Sequence, residues 1–225
     1  RDARGRIRPN SKFPNMMAMT AYIHSRGLKA GLYTSPGPQT CAGYEAAWQH
    51  EEQDAAAFTE WGFDYLKYDW CSMTKVSGGL ELPKLKPPYK VMSDILKKQP
   101  RDFVYNLCQY GMGKVWEWGD SVGGHAWRTT GDIGNGANLW TNVQTIGFGQ
   151  NGLEKWAGPG HWNDPDYLQV GFLHRRGALQ PTPLTPDEQY SHVSLWALLA
   201  APFIIGGDIA QLDAFTLSLL TNDEV

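Results

Sequence analysis

The 225-residue sequence predicts an α/β fold, an incomplete (β/α)8 or TIM barrel of about six helix-strand units whose first two strands are missing. Three observations carry this. Helical and strand-like segments alternate along the chain, the signature of a parallel sheet. Five of the six strands end on charged or amide side chains, and the C-terminal rim of such barrels is where active sites are built. The G-x-G-x-x-G turn of the rival doubly wound sheet is absent after every strand, and the glycines of GDIGNGANLW stand at another spacing behind an acid that would repel a phosphate.

The elements follow in order. PNMMAMTAYIHSRG has apolar residues at helical spacing and stops at Gly27, a natural residue to follow a helix end, before the strand LKAGLYTS. HEEQDAAAFTEWG repeats the design with Gly62 and leads into FDYLKYD. YKVMSDILKKQP precedes DFVYNLC, a Trp-rich helical segment precedes HAWRTTGD, and LWTNVQTIGFG precedes the irregular AGPGHWNDPDYLQ. TPDEQYSHVSLWALLAA opens with a capping box, Thr185 as N-cap, Pro186 at the first helical position and Glu188 at the third, ahead of the sixth strand, PFIIGGD. LDAFTLSLL is the last helix. The chain opens on a charged loop and stops just after a helix, so residues 1–225 read as a partial barrel domain from inside a larger protein.

Composition bounds the function classes. At 42% hydrophobic residues the chain can bury a sizeable core. A formal net charge of -3 with no Lys/Arg-rich run gives no footprint for nucleic acid. The longest apolar stretch, VSLWALLAAPFIIGG, is too short for a membrane span and is interrupted by Pro202. RDARGRIRPN is basic with no apolar segment behind it, so no export leader is expected there.

The strand exits carry the chemistry: Tyr33; Lys67 with Asp69; Cys108 with Gln109; Arg128 with Asp132; Asp164 with Asp166; and Asp208. Lys67 and Asp69 are two apart on a strand and share a face. An ammonium beside a carboxylate favours its ionised form, which suits Asp69 to a nucleophile or to a structural ion pair. Arg128 and Asp132 form a second such pair. Were Asp132 set away from its arginine and against tryptophan walls, it would hold its proton to higher pH and serve as a donor. Two carboxyl groups tuned apart are what glycoside hydrolysis requires, and the tryptophans near the exits, Trp48, Trp70, Trp127 and Trp162, offer flat faces to a sugar ring. Two other readings stand beside this one. Asp164, Asp166 and Asp208 would suit a metal-dependent hydrolase, although no H-x-H or H-x-x-x-H pair accompanies them and His161 stands alone, so neither metal nor cofactor is expected. A barrel lacking two strands could also bind sugar without catalysis.

GLKAGLYTSPGPQTCAG, YLKYDWC, WRTTGDI and AGPGHWNDPDYL, in this order and at these separations, resemble glycoside hydrolase family 27, the α-galactosidase and α-N-acetylgalactosaminidase family of retaining enzymes. The resemblance spans essentially the whole chain. It implies a (β/α)8 catalytic barrel that removes a terminal α-linked galactose, with α-N-acetylgalactosamine or β-L-arabinopyranose as the family's other choices. Asp69 is then implied as nucleophile and Asp132 as general acid/base. Tyr33, Lys67, Arg128 and Asp166 would hydrogen-bond sugar hydroxyls, Trp70 and Tyr167 would lie near the subsite, and Gln109, where many members carry glutamate, would face the sugar's C2 position. A retaining enzyme needs the two carboxyl groups about 5 to 5.5 Å apart, against roughly 6.5 to 9.5 Å for an inverting one. The family's paired-aspartate strand and C-terminal β-sandwich are not expected in residues 1–225. The family pattern also suggests how to divide three cysteines, as a Cys41–Cys71 bridge in adjacent exit loops with Cys108 left out. Such a bridge points to an oxidising compartment, secreted, periplasmic or lysosome-like; two thiols in a reducing cytosol are the alternative.

Overall fold

The computed structural model describes residues 1–224, which divide into two compact units, the first Arg1–Trp127 and the second from Arg128 onward.

In the first unit, helix α1 (Met16–Ser25) starts at Asn15, whose side chain accepts the Ala18 N–H. Gly27 follows its end with φ 74°, as its position in the sequence predicts. Strand β1 (Gly31–Thr34) comes next. Helix α2 (Glu51–Trp61) has Glu51, Glu52 and Asp54 in its first turn, complementing the helix dipole, and is stopped by Gly62 in the left-handed region. Strand β2 (Tyr65–Asp69), the short helix α3 (Thr74–Ser77), helix α4 (Leu82–Leu96), strand β3 (Val104–Cys108) and strand β4 (Ala126–Arg128) complete the run. Strands β1 to β4 pair in parallel, with Tyr33 opposite Lys67, Lys67 opposite Asn106, and Asp69 opposite Cys108.

The two-residue period of β2 decides which side chains are available for chemistry. Leu66 and Tyr68 are fully buried in a cluster with Leu85, Tyr89, Tyr105 and Leu107, so Lys67 and Asp69 project from the opposite face. Two expectations need correction here. Helix α4 begins at Leu82, seven residues before the predicted start, and carries Pro87 and Pro88 internally. Leu85, Tyr89, Met92 and Leu96, buried at helical spacing, supply packing that outweighs the backbone bonds the prolines remove. The Trp-rich segment forms two short 3-10 turns, Val115–Glu117 and Asp120–Val122, in place of a helix. Backbone there packs directly on an aromatic ring: a Cβ at Gly119 would stand 2.5 Å from Trp127.

The second unit contains helix α5 (Leu139–Phe148), strand β5 (Trp162–Asp164), strands β6 (Phe172–Arg175) and β7 (Ala178–Pro181), and helices α6 (Pro186–Leu198) and α7 (Ala214–Leu220). The capping box of α6 is present as read, with both reciprocal bonds between Thr185 and Glu188. Ile133, Leu139, Val143, Leu168, Trp196 and Leu219 belong to its core. The expected sixth strand, PFIIGGD, is reduced to one parallel bridge between Leu168 and Ile205. In contrast β6 and β7 form an antiparallel hairpin that the helix-strand alternation did not predict. Its two-residue turn, Arg176–Gly177, has φ 50° and 80°, the doubly positive geometry of a type I′ turn. Among the described residues, no helix is long and apolar enough to cross a membrane.

Candidate active site

In the first unit the exits of β1, β2 and β3 bring together most of the predicted residues. Asp69, the last residue of β2, is 6% exposed. Its Oδ1 accepts a hydrogen bond from the Tyr110 hydroxyl at 2.5 Å. Tyr110 is the second residue after β3, and sequence reasoning passed over it. Lys67 lies with its Nζ 5.9 Å from the centre of the Tyr33 ring, within reach of a cation–π attraction. The Tyr33 hydroxyl accepts the Cys41 N–H at 3.2 Å and sits 3.1 Å from the Cys71 sulfur. Burial raises the pKa of that phenol, the Cys41 N–H and Lys67 oppose the effect, and Asp69 adds to it. Tyr33, Lys67 and Asp69 therefore share one electrostatic neighbourhood.

Cys41 and Cys71 form a disulfide with Cα atoms 5.0 Å apart, inside the bridging range. It closes a loop with a sequence separation of 30, worth roughly 3 to 4 kcal/mol in the chain-entropy account. Cys108 is a buried thiol outside the bridge. Gln109 is fully buried, and neither atom of its side-chain amide has a hydrogen-bond partner. A buried amide left in that state is a candidate to bond a ligand.

Two tryptophans are not where the sequence reading placed them. Trp70 is buried, stacked 5.9 Å from Tyr89 with its Nε1–H donated to Thr74. Trp127 is also fully buried. Both rings serve the core because their positions fall on the face that packs beneath the helices, so neither presents a flat surface to a sugar. Trp48 and Trp162 keep partial exposure.

The second unit holds the other candidates. Arg128 is buried at the end of β4. Its Nη2 lies 3.1 Å from Asp166 Oδ2 and 3.1 Å from Asp132 Oδ1, and donates to the Thr130 carbonyl at 3.2 Å. Asp166 is buried beside it and also accepts the Ile133 N–H at 2.8 Å. Burial pushes the Asp166 carboxyl above its ordinary range, with Arg128 pulling it back. The backbone at Asp166 has φ 88°, rare for a residue with a side chain. It is held there by the Asp166 N–H on Asp164 Oδ1 at 2.8 Å and by the Trp196 indole N–H on the Asp166 carbonyl at 2.8 Å. Tyr167 follows, half-buried.

Arg128 and Asp132 form the pair that their spacing suggested, so the condition under which Asp132 would hold its proton to higher pH, a place apart from its arginine, is not met. The Asp132 side chain is 73% exposed and paired with Arg128, because the glycine-rich loop after β4 carries it out into solvent. Asp166 is engaged by Arg128, and Asp208 caps a 3-10 turn through the Ala210 N–H. Among the described residues, the one grouping of metal-ligating side chains is Cys41, Asp69 and Cys71, and its sulfurs are bonded to each other.

Comparison with known proteins gives the same direction. A family model described as "Melibiase_2: Alpha galactosidase A" matches residues 1–225. The chain is 38% identical to alpha-galactosidase A of Cellvibrio japonicus and 39% identical to alpha-galactosidase of Cyamopsis tetragonoloba, in each case over its whole length and over 54% and 51% of the relative. The chain thus spans about half the length of the curated relatives it matches. Among solved structures, the alpha-galactosidase of Saccharomyces cerevisiae superposes with a TM-score of 0.83 at 31% identity, covering 97% of this chain and 50% of that one, and has also been solved with raffinose.

Proposed function

Since this chain belongs to the alpha galactosidase A family, we propose that the protein containing it is a retaining glycosidase that removes terminal α-linked galactose from α-galactoside oligosaccharides or glycoconjugates. The observation that carries the reading is Asp69, a carboxylate buried at the C-terminal end of a parallel strand with one oxygen fixed by a phenol. A nucleophile needs a defined position more than it needs mobility.

In the first step one Asp69 oxygen bonds to the anomeric carbon as the glycosidic C–O bond breaks, and Asp132 gives its proton to the departing oxygen. The result is a galactosyl ester on Asp69. In the second step Asp132, now a carboxylate, takes a proton from water as that water's oxygen attacks the anomeric carbon, which returns Asp69 and releases galactose with its original configuration. The exposure of Asp132 suits a group that exchanges protons with water between the two steps. Tyr33, Lys67, Gln109, Arg128, Asp166 and Tyr167 are the candidates for holding the sugar, with Gln109 supported by its unpartnered buried amide. Trp70 supports the strand from behind. The Cys41–Cys71 disulfide favours an oxidising compartment as the place of action.

The test is stereochemical. NMR of the first-formed product from an α-galactoside, hydrolysed by the intact protein, should show α-galactose before mutarotation. Initial β-galactose would mean a single displacement by water and would remove Asp69 from the nucleophile's role.

A further inference from the structure

We propose that Tyr110 is a positioning residue for the nucleophile: its hydroxyl fixes Asp69 Oδ1 and so assigns the attack on the sugar to Oδ2. The inference rests on the glycosidase reading and on four observations. The Tyr110 hydroxyl stands 2.5 Å from Asp69 Oδ1, a short separation typical of a hydroxyl donated to a carboxylate. The same hydroxyl lies 3.7 Å from the Cys41 sulfur and 4.0 Å from the Cys71 sulfur, so the disulfide fences the phenol on one side. Tyr110 packs against the hydrophobic core of the first unit, which limits the ring's freedom. Finally, Tyr110 has φ 66° and is followed by Gly111 at φ 80°. A bulky residue in the left-handed region is strained, and such strain persists where the surroundings over-determine it, often at functional sites.

Together these make Tyr110 a rigid donor. A carboxylate whose one oxygen is pinned can rotate only about that bond, which limits where the other oxygen points. The phenol keeps its proton throughout. When Oδ2 becomes the ester oxygen, Oδ1 becomes the carbonyl oxygen and the bond from Tyr110 weakens with the lost charge. When the ester is hydrolysed the bond is restored, so Tyr110 neither gains nor loses a proton over the cycle.

The experiment follows covalent labelling of Asp69 by 5-fluoro-α-galactosyl fluoride in the intact protein, measured by mass spectrometry, beside the competitive affinity of galactose. Tyr110→Phe removes only the hydroxyl. Labelling should slow by on the order of 10²-fold, the scale of a misplaced reacting group, while galactose affinity changes by less than about threefold. Equal labelling rates in Tyr110→Phe and the unsubstituted protein would overturn the proposal, as would a loss that appears wholly in galactose affinity. Failure of the unsubstituted protein to be labelled at Asp69 would instead overturn the nucleophile reading. Should Tyr110→Phe not fold, the unsubstituted protein answers the question: tyrosine enriched in ¹³C at its hydroxyl-bearing carbon should give a Tyr110 resonance that moves when Asp69 is trapped as the ester. A resonance that stays in place would also overturn the proposal.

Discussion

Asp69→Asn in the intact protein is expected to lower turnover of α-galactosides by on the order of 10⁴-fold or more, the scale on which a covalent nucleophile is lost from other hydrolases. An amide at the end of β2 keeps the size of the carboxylate and can still meet Tyr110, so the fold should survive and the loss should appear in kcat. The variant Asp69→Gly separates chemistry from structure further, because it opens the nucleophile's place to a small anion. With azide and an α-galactoside bearing a good leaving group it should yield β-galactosyl azide, the inverted product of direct attack. The matching change at the other carboxylate, Asp132→Asn, should behave differently. Protonation of the leaving oxygen matters little for a good leaving group, so the first step should be spared with an activated aryl galactoside and slowed by about 10²- to 10⁴-fold with a natural one. Burst kinetics followed by slow release would show the ester accumulating. Equal losses with both substrates would remove Asp132 from the acid's role.

The largest stability effect is expected at the buried pair Arg128–Asp166. Asp166→Asn leaves a buried guanidinium that cannot shed its charge beside the exposed Asp132. Breaking a buried pair in this way costs about 3 to 5 kcal/mol. Arg128→Met should cost less at low pH, because the abandoned Asp166 can take up a proton. The sign follows from linkage. Burial already holds the Asp166 carboxyl above its ordinary value, and removing Arg128 takes away the group that pulls it down. In the folded variant the carboxyl therefore binds a proton that the unfolded chain has released. Stability falls as pH rises through the unfolded value, about 3.9, up to the higher folded one, and is level beyond it. Chemical denaturation across that range should show the Arg128→Met deficit growing with pH, whereas the stability profile of Asp166→Asn, which has no carboxyl at this position, should lack this titration. A pH-independent deficit in Arg128→Met would mean that Asp166 stays ionised by another partner.

Much of this protein was legible in the sequence for reasons that are local. The alternation of helical and strand segments, the glycine stops at Gly27 and Gly62 and the capping box of Thr185 and Glu188 depend on residues within a turn or two of each other. The shared face of Lys67 and Asp69 follows from the two-residue period of a strand alone, and the strand-exit residues stood out because parallel sheets with helical crossovers present their active sites there. What only the tertiary structure decided depends on contacts between segments far apart in the chain. The Trp70 and Trp127 rings turned into the core because packing against the helices, not aromatic character, assigned their face. Arg128 pairs with the exposed Asp132, as their four-residue spacing suggested, and also with the buried Asp166, 38 positions later in the chain, a second partner that this spacing could not reveal. The hairpin of β6 and β7 turned on two positive φ angles at Arg176 and Gly177, of which the sequence displayed only the glycine. Tyr110 reached Asp69 because the register of β2 on β3 sets Asp69 beside Cys108 and a strained backbone then turns the phenol across the strand ends. Register between strands is fixed by burial summed over the whole sheet, so no short stretch of sequence contains it.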